Sequence, residues 1–390
     1  MIFLARLRNA IFRMRIRRAS ATPGQPCRVL GFDCGLNCKP LGRALFIYSP
    51  SALERHRAGV QWRHFNPDGA VVEIALALNQ AGLVVDAIGI HDTEFVPQHE
   101  YSLLVAHAGP AYCKYGEMLR CPVLDYSTGC HWREFNRQTE TRYADFARRH
   151  SLGDVPPPMR PLVVEHEDYA AGRADLVVCL GAPTARTFEP FAKRVAHVNN
   201  SAAVNAPPPP AVTEARRRAF LYTGGTGNVQ KGLDLLIEAF AAEPGLHLHI
   251  DAPLEPEVIS SCGRELRSPN IHYVEWERKL PNGTNRIARR CAFTIYAGLN
   301  SGQSTTVVAS LAYGLIPVIT RETSFGLDGI EVAIETACVA DIRTAIRAAA
   351  ALPPSEISSR AQRVAAAFRE DFSPAAYRGG FKHAIESLVT

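Results

Sequence analysis

The sequence contains no uninterrupted apolar run of about 18 residues, the length that a membrane-spanning helix requires. Its longest candidate, TTVVASLAYGLIPVIT (305–320), is broken by Gly314 and Pro317 and reads as a helix followed by a strand. Zinc-site spacing is lacking too. Cys34 and Cys38 are separated by three residues, and no second Cys or His pair accompanies them. Ten cysteines in 390 residues do not make a disulfide scaffold, so the expected compartment is a reducing cytoplasm. Cys179 and Cys291 lie in or beside apolar runs and read as core thiols. Excess charge is nearly absent outside one segment. The formal net charge is +5, but the first 18 residues hold six arginines and no acid, leaving one net negative charge for the rest. Nucleic-acid binding therefore has no electrostatic support beyond the tail. A hydrophobic fraction of 47% against 21% charged residues excludes disorder, a coiled coil and a collagen-like fibre.

What is present is enough for two domains of ordinary size. In the tail MIFLARLRNAIFRMRIRRAS, Leu4, Leu7, Ile11 and Met14 share one helical stripe, with Arg6, Arg13 and Arg17 away from it. One reading is an interfacial helix resting on anionic lipid. The other is a disordered basic tail or a transit-like leader. After it, RALFIYS (43–49), LVVDAIG (83–89), YSLLVAH (101–107), PVLDYS (122–127), ADLVVCL (174–180) and RVAHVNN (194–200) read as strands. The amphipathic segment 69–82 lies between the first two, and Gly82 suits its end. Strands alternating with helices predict parallel βαβ units. Four consecutive prolines (207–210) make a stiff connector, after which the alternation restarts with AFLYT, KGLDLLIEAFAA, LHLHID, IHYVEW, AFTIYAG, STTVVASLAYG and IPVIT. The fold class expected is α/β, with two Rossmann-like domains facing across a cleft. The expected boundaries are a basic tail over 1–25, a first domain over 26–204, a linker over 205–213, a second domain over 214–370, and a final helix over 371–390 that returns to the first domain.

Ligands in such sheets bind at the carboxyl ends of strands. Three loops qualify. TGGTGNVQKG (223–232) places Gly224 and Gly225 where a backbone could approach phosphate, and Lys231 adds a cation before a helix. Lys231 is followed by Gly232, so this is not a Walker loop, and a plain strand-to-helix turn is the competing reading. In the second loop, Ser301, Gly302, Gln303, Ser304, Thr305 and Thr306 crowd a helix start. Ser304 or Thr305 could cap that helix, whereas four hydroxyls suggest a diphosphate cradle. The third loop, DYSTGCHW (125–132), carries His131 at a strand's end, and His107 closes its own strand similarly. Each could shuttle a proton or fill a polar gap in a loop.

The combination resembles a family 4 glycosyltransferase of GT-B fold. The matching segments are NPDGAVVEIALALNQAG, ADLVVCLGAPTARTF, LYTGG followed by QKGLDLLIEAF, VVASLAYGLIPVI, and the closing FREDFSPAAYRGGFKHAIESL. The resemblance covers roughly residues 42–388. It implies transfer of a hexosyl group from a nucleotide-sugar donor, held by the second domain, to a glycan or lipid-linked acceptor held by the first. The setting implied is cell-surface polysaccharide synthesis at the inner face of the membrane, without a metal or other cofactor. Lys231 matches the family's phosphate-binding lysine, His131 its cleft histidine and His107 a common strand-end histidine. Gly225 stands where the family usually has an arginine. The family's two glutamates, seven residues apart, align with Ser301 and Ala309. That loss motivates a second reading, a degenerate GT-B domain that binds a glycan or a partner without transfer.

The tail's charge has a direct test. Deleting residues 1–18 should reduce partition onto anionic vesicles, because each arginine near the surface contributes about 1 kcal/mol. Equal vesicle binding by the full-length and truncated chains would end the interfacial-helix reading.

Overall fold

The structure is a computed structural model that describes residues 27–60, 68–158, 166–273, 283–299 and 302–389. The basic tail and Ser301 lie outside the described residues. Strands β1 (Arg28–Phe32), β2 (Gly42–Tyr48), β3 (Leu83–Gly89), β4 (Leu103–Ala106), β5 (Val123–Ser127), β6 (Leu176–Leu180) and β7 (Val195–Val198) form one sheet. Its order is β1-β3-β2-β4-β5-β6-β7. From β2 onward the pairs that make it are parallel. Strands such as LLVA and LVVCL are buried at every position, as a parallel sheet covered on both faces demands. The sequence reading did not anticipate β1. It pairs antiparallel with β3 at the edge, tied by Arg28 to Asp92 at 2.6 Å and by the Gly31 amide to Asp86 at 2.7 Å.

Strands β8 (Ala219–Thr223), β9 (His247–Asp251), β10 (Ile271–Tyr273), β11 (Phe293–Tyr296), β12 (Ile316–Thr320) and β13 (Val332–Ile334) form a second, wholly parallel sheet. Its order is β10-β9-β8-β11-β12-β13. β13 escaped the sequence reading because three residues carry too little periodicity. Residues 201–213 join the sheets without helix or strand, as the proline tract requires.

The helices that shape the site are α1 (Ala70–Gln80), α2 (Trp132–Arg149), α3 (Ala182–Arg186), α4 (Leu233–Ala241), α5 (Pro256–Ser261), α6 (Thr305–Leu311), α7 (Pro354–Asp371) and α8 (Pro374–Val389). α8 lays Tyr377, Phe381 and Ile385 into the core of the first domain. Its Arg378 reaches Glu73 on α1 at 3.3 Å, and the Tyr377 hydroxyl donates to that of Tyr126 at 2.9 Å.

α2 is the element that sequence patterning passed over. Its surface is dense in Arg and Glu, yet Phe135, Thr139, Tyr143 and Ala147 recur every four residues, with Arg142 and Phe146 beside them, and all six are buried. Tyr143 and Phe146 belong to the hydrophobic core of the second domain, together with Leu233, Ile237 and Val258. The helix is thus continuous in sequence with the first domain and packed into the second.

Phe146 is fully buried at that seam. Phe146→Ala should cost about 3–5 kcal/mol of unfolding free energy in chemical denaturation, by lost transfer energy and the cavity left behind. A loss well under 1 kcal/mol would show that α2 is not part of the second domain's core.

Candidate functional site

The carboxyl ends of β8, β9, β11 and β12 open towards the first domain, and their loops form one wall of the seam between domains. In the loop after β8, Gly224 leaves no room for a side chain: a Cβ there would stand 2.8 Å from the Tyr222 hydroxyl. The Lys231 amine lies over Gly225, 3.7 Å from where a Cβ would sit. Gly232 has φ +72°, and a Cβ on it would collide with the Ala297 carbonyl. Glycine is required there both for the left-handed turn and for the close approach of two loops.

This loop is built around a carboxylate that the sequence reading missed. Glu255, just ahead of α5, accepts the amide of Gly227 at 2.5 Å and that of Asn228 at 2.9 Å, and its own amide donates to Asn228 Oδ1 at 2.8 Å. Burial raises the Glu255 carboxyl above its ordinary range, while the two amides and Lys231 pull it back. Two backbone donors that a phosphate could use are therefore held by an internal anion. A Glu-Pro dipeptide opening a helix is the sequence signal that could have flagged it.

The second loop is equally engaged. Gln303 is buried; its Oε1 accepts the Asn200 amide at 2.7 Å and its Nε2 donates to Asn199 Oδ1 at 2.9 Å. The Asn200 side-chain amide donates to the Gln303 carbonyl at 2.6 Å and to Thr305 Oγ1 at 3.0 Å. Thr306 donates to the Thr223 carbonyl at 3.0 Å, and the Ser304 and Thr306 hydroxyls lie 3.1 Å apart. Gly302 has φ +79°, and a Cβ there would strike the Thr128 carbonyl of the first domain. Ser304 precedes α6 but makes no side-chain capping bond, so it does not fill the capping role that is the alternative to a phosphate cradle. Gln303, Thr305 and Thr306 thus bind protein in this arrangement. Ala309 packs against the core of the second domain. The Asn199–Asn200 pair after β7 was legible as a polar strand end, though its partner 100 residues on was not.

His131 is not open to the cleft, as its strand-end place suggested. Its ring is 1% exposed, stacked on Phe191 at 3.8 Å and met edge-on by Phe188 at 5.3 Å. Nε2 lies 3.1 Å from Asp168 Oδ1, yet burial holds the imidazole below its ordinary pKa. Beneath it, burial pushes Glu167 up to about 7 while it accepts the Trp132 amide at 2.5 Å. His107 is half-buried, with Nδ1 2.8 Å from the Tyr126 carbonyl and the Tyr48 ring edge-on at 5.2 Å. Burial lowers its pKa as well, so the neutral ring is favoured.

Between the domains lies a cavity of about 660 Å³, of the size that small ligands occupy. Arg186, His197, Asn199, Gln303, Arg321 and Glu331 are on its walls. Gln303 is the one expected site residue that lines it. No helix among the described residues is long and apolar enough to cross a membrane.

No protein-family model matches the chain, and no curated protein matches it in sequence. Solved structures do match in shape. The chain is similar to sucrose-phosphate synthase from Thermosynechococcus elongatus, with a TM-score of 0.60 and 11% identity over 89% of this chain and 99% of that one. It is similar to Anabaena HepE in complex with UDP and glucose, with a TM-score of 0.56 and 12% identity over 89% of this chain and 100% of that one. It is also similar to S. aureus TarM, with a TM-score of 0.51 and 11% identity over 74% of this chain and 54% of that one. The chain spans about half the length of TarM. At such identities the likeness shows the fold, which is the GT-B arrangement of two parallel-sheet domains.

Removing the bridge between the domains has a measurable consequence. Gln303→Ala leaves the buried Asn200 amide without its acceptor, which should cost about 1–3 kcal/mol. Hydrogen exchange should quicken at Asn200 and at the start of α6. Unchanged exchange there would show that Gln303 does not hold the seam.

Proposed function

We propose that this chain is a glycosyltransferase that moves a hexosyl group from a nucleotide-sugar to a glycan or lipid-linked acceptor. The observation that carries the reading is the adjacency of the two loops that sequence assigned to the diphosphate. Thr306 binds the Thr223 carbonyl, and the Leu299 amide binds the Gln230 carbonyl at 3.0 Å, so the Lys231 loop and the 302–306 loop form one surface. The UDP named with HepE, and UDP-2-fluoro glucose with the E. coli trehalose-6-phosphate structure, support a nucleotide-sugar as donor.

In this reading Lys231 supplies the cation to the diphosphate, and Gly224 and Gly225 admit it closely. Gln303, Ser304, Thr305 and Thr306 supply donors after exchanging their present bonds, and Ser301 and Gly302 complete the loop. His107 is the proton-handling candidate, and His131 reaches the reacting centre only if Phe191 leaves its face. Ala309 offers nothing to ribose hydroxyls, so recognition falls on the diphosphate. The acceptor belongs to cell-surface polysaccharide synthesis, in the cytoplasm at the inner face of the membrane, with residues 1–18 touching anionic lipid. The donor sugar is a substrate, and no cofactor is assigned.

One observation favours the second reading, a GT-B domain that binds a glycan or partner without transfer. Glu255 occupies the Gly227 and Asn228 amides, and Asn200 occupies Gln303 and Thr305. Such contacts would hold the cleft closed without a ligand.

Calorimetry separates the two. UDP and GDP should bind, the bare nucleosides should bind far more weakly, and Lys231→Ala should weaken diphosphate binding about tenfold or more, since a charge-assisted contact is worth about 1.5–3 kcal/mol. Binding without nucleotide release from a nucleotide-sugar in the presence of crude glycan would favour the non-transferring reading. Nucleosides binding as tightly as their diphosphates would remove the phosphate assignment.

A further inference from the structure

The outer end of the seam gathers three ligating atoms from three separate elements. His150 directly follows α2, Glu238 lies on α4, and Cys262 follows α5. His150 Nε2 is 3.2 Å from Glu238 Oε1 and 3.9 Å from Cys262 Sγ, and all three atoms fall within 4.8 Å of one another. A tetrahedral zinc site with bonds of about 2.0 Å to nitrogen and oxygen and about 2.3 Å to sulfur has edges of roughly 3.3–3.6 Å. The observed separations bracket those edges, so small side-chain rotations bring the atoms onto one ion.

We propose that His150, Glu238 and Cys262 bind one zinc-type divalent cation that ties the two domains together. Mixed nitrogen, oxygen and thiolate ligands select a borderline metal over calcium or magnesium. The surroundings carry the complementary charge. Asp145 and Asp234 act on both Arg142 and Arg149, Glu238 acts on Arg149, and Glu265 adds negative charge beside the Cys262 thiol. Asp234 is fully buried, and its Oδ1 has no hydrogen-bond partner among the described residues. Arg149 binds Asp145, Asp234 and Glu238 together, and its guanidinium donates to the same Glu238 Oε1 that faces His150, which holds that oxygen beside the imidazole. Glu238 also lines a groove of about 470 Å³, together with Glu265 and Arg264. Cys262 is fully buried, while the side chains of His150 and Glu238 keep 12% and 23% exposure. On binding, the Cys262 S–H bond is replaced by S–metal and the proton leaves to solvent. A water molecule completes the four positions.

The test uses the full chain, stripped with a chelator and titrated with Co²⁺ alone and with Zn²⁺ alone. One ion per chain is expected, with a thiolate-to-cobalt charge-transfer band that Zn²⁺ abolishes. Cys262→Ser should remove the band. His150→Gln and Glu238→Gln should weaken binding tenfold or more, and they serve where the cysteine variant does not fold. Cys34→Ser with Cys38→Ser, at the exposed cysteines, should leave the band intact. A band that survives in Cys262→Ser, or no stoichiometric uptake by the native chain, overturns the proposal. No nucleotide enters these measurements, so their outcome is independent of the transferase reading.

Discussion

The insertion of α2 into the second domain is the constraint on which the arrangement depends. Arg142 donates to the Ala297 carbonyl at 2.9 Å from a site only 6% exposed, and burial lowers its pKa despite the pull of Asp234. Arg149, seven residues further along the same helix, is held by Asp145, Asp234 and Glu238. A buried arginine is costly unless its donors are met, and removing one partner of a buried pair typically costs about 3–5 kcal/mol. Tyr143 and Phe146 supply the apolar contact that offsets this cost. Charged groups thus fix the register of the helix, and aromatic burial supplies the attraction.

That constraint shapes the candidate site. With α2 seated, the Gln230 side chain reaches Thr139 at 3.1 Å, and the loops after β8 and β11 lie against the first domain. Their polar groups then bond with Asn199, Asn200 and Glu255 instead of remaining open. A ligand that enters must exchange those bonds for its own, so its net affinity is the difference between two satisfied states. Gly302 makes the closeness of the two walls possible, because a side chain there would strike the Thr128 carbonyl, and Gly232 lets the two loops of the second domain meet at the Ala297 carbonyl.

The buried acidic groups near the site face the protein's own donors. Glu255 sits under the glycine loop, and Asp145, Asp234 and Glu238 gather at the seam. Negative charge is therefore placed to hold the protein's own amides and guanidiniums. The 660 Å³ cavity carries both signs on its walls, with Arg186 and Arg321 beside Asp328 and Glu331.

The sequence by itself determined the α/β class, the two sheets and the loops after β8 and β11. Alternating apolar runs, Gly-Gly turns and a proline tract act through neighbouring residues, so their meaning is local. LVVDAIG coincides with β3, and IPVIT with β12. Only the tertiary structure decided which side chains meet. Glu255 finds Gly227 across 28 residues, Gln303 finds Asn200 across 103, and Arg142 finds Ala297 across 155. It also decided that His131 is enclosed by Phe188 and Phe191, and that α2 serves the second domain's core. Contacts at such separations depend on how two complete sheets are set against each other. A helix rich in arginine and glutamate gives no local sign that its narrow apolar stripe will be buried in another domain.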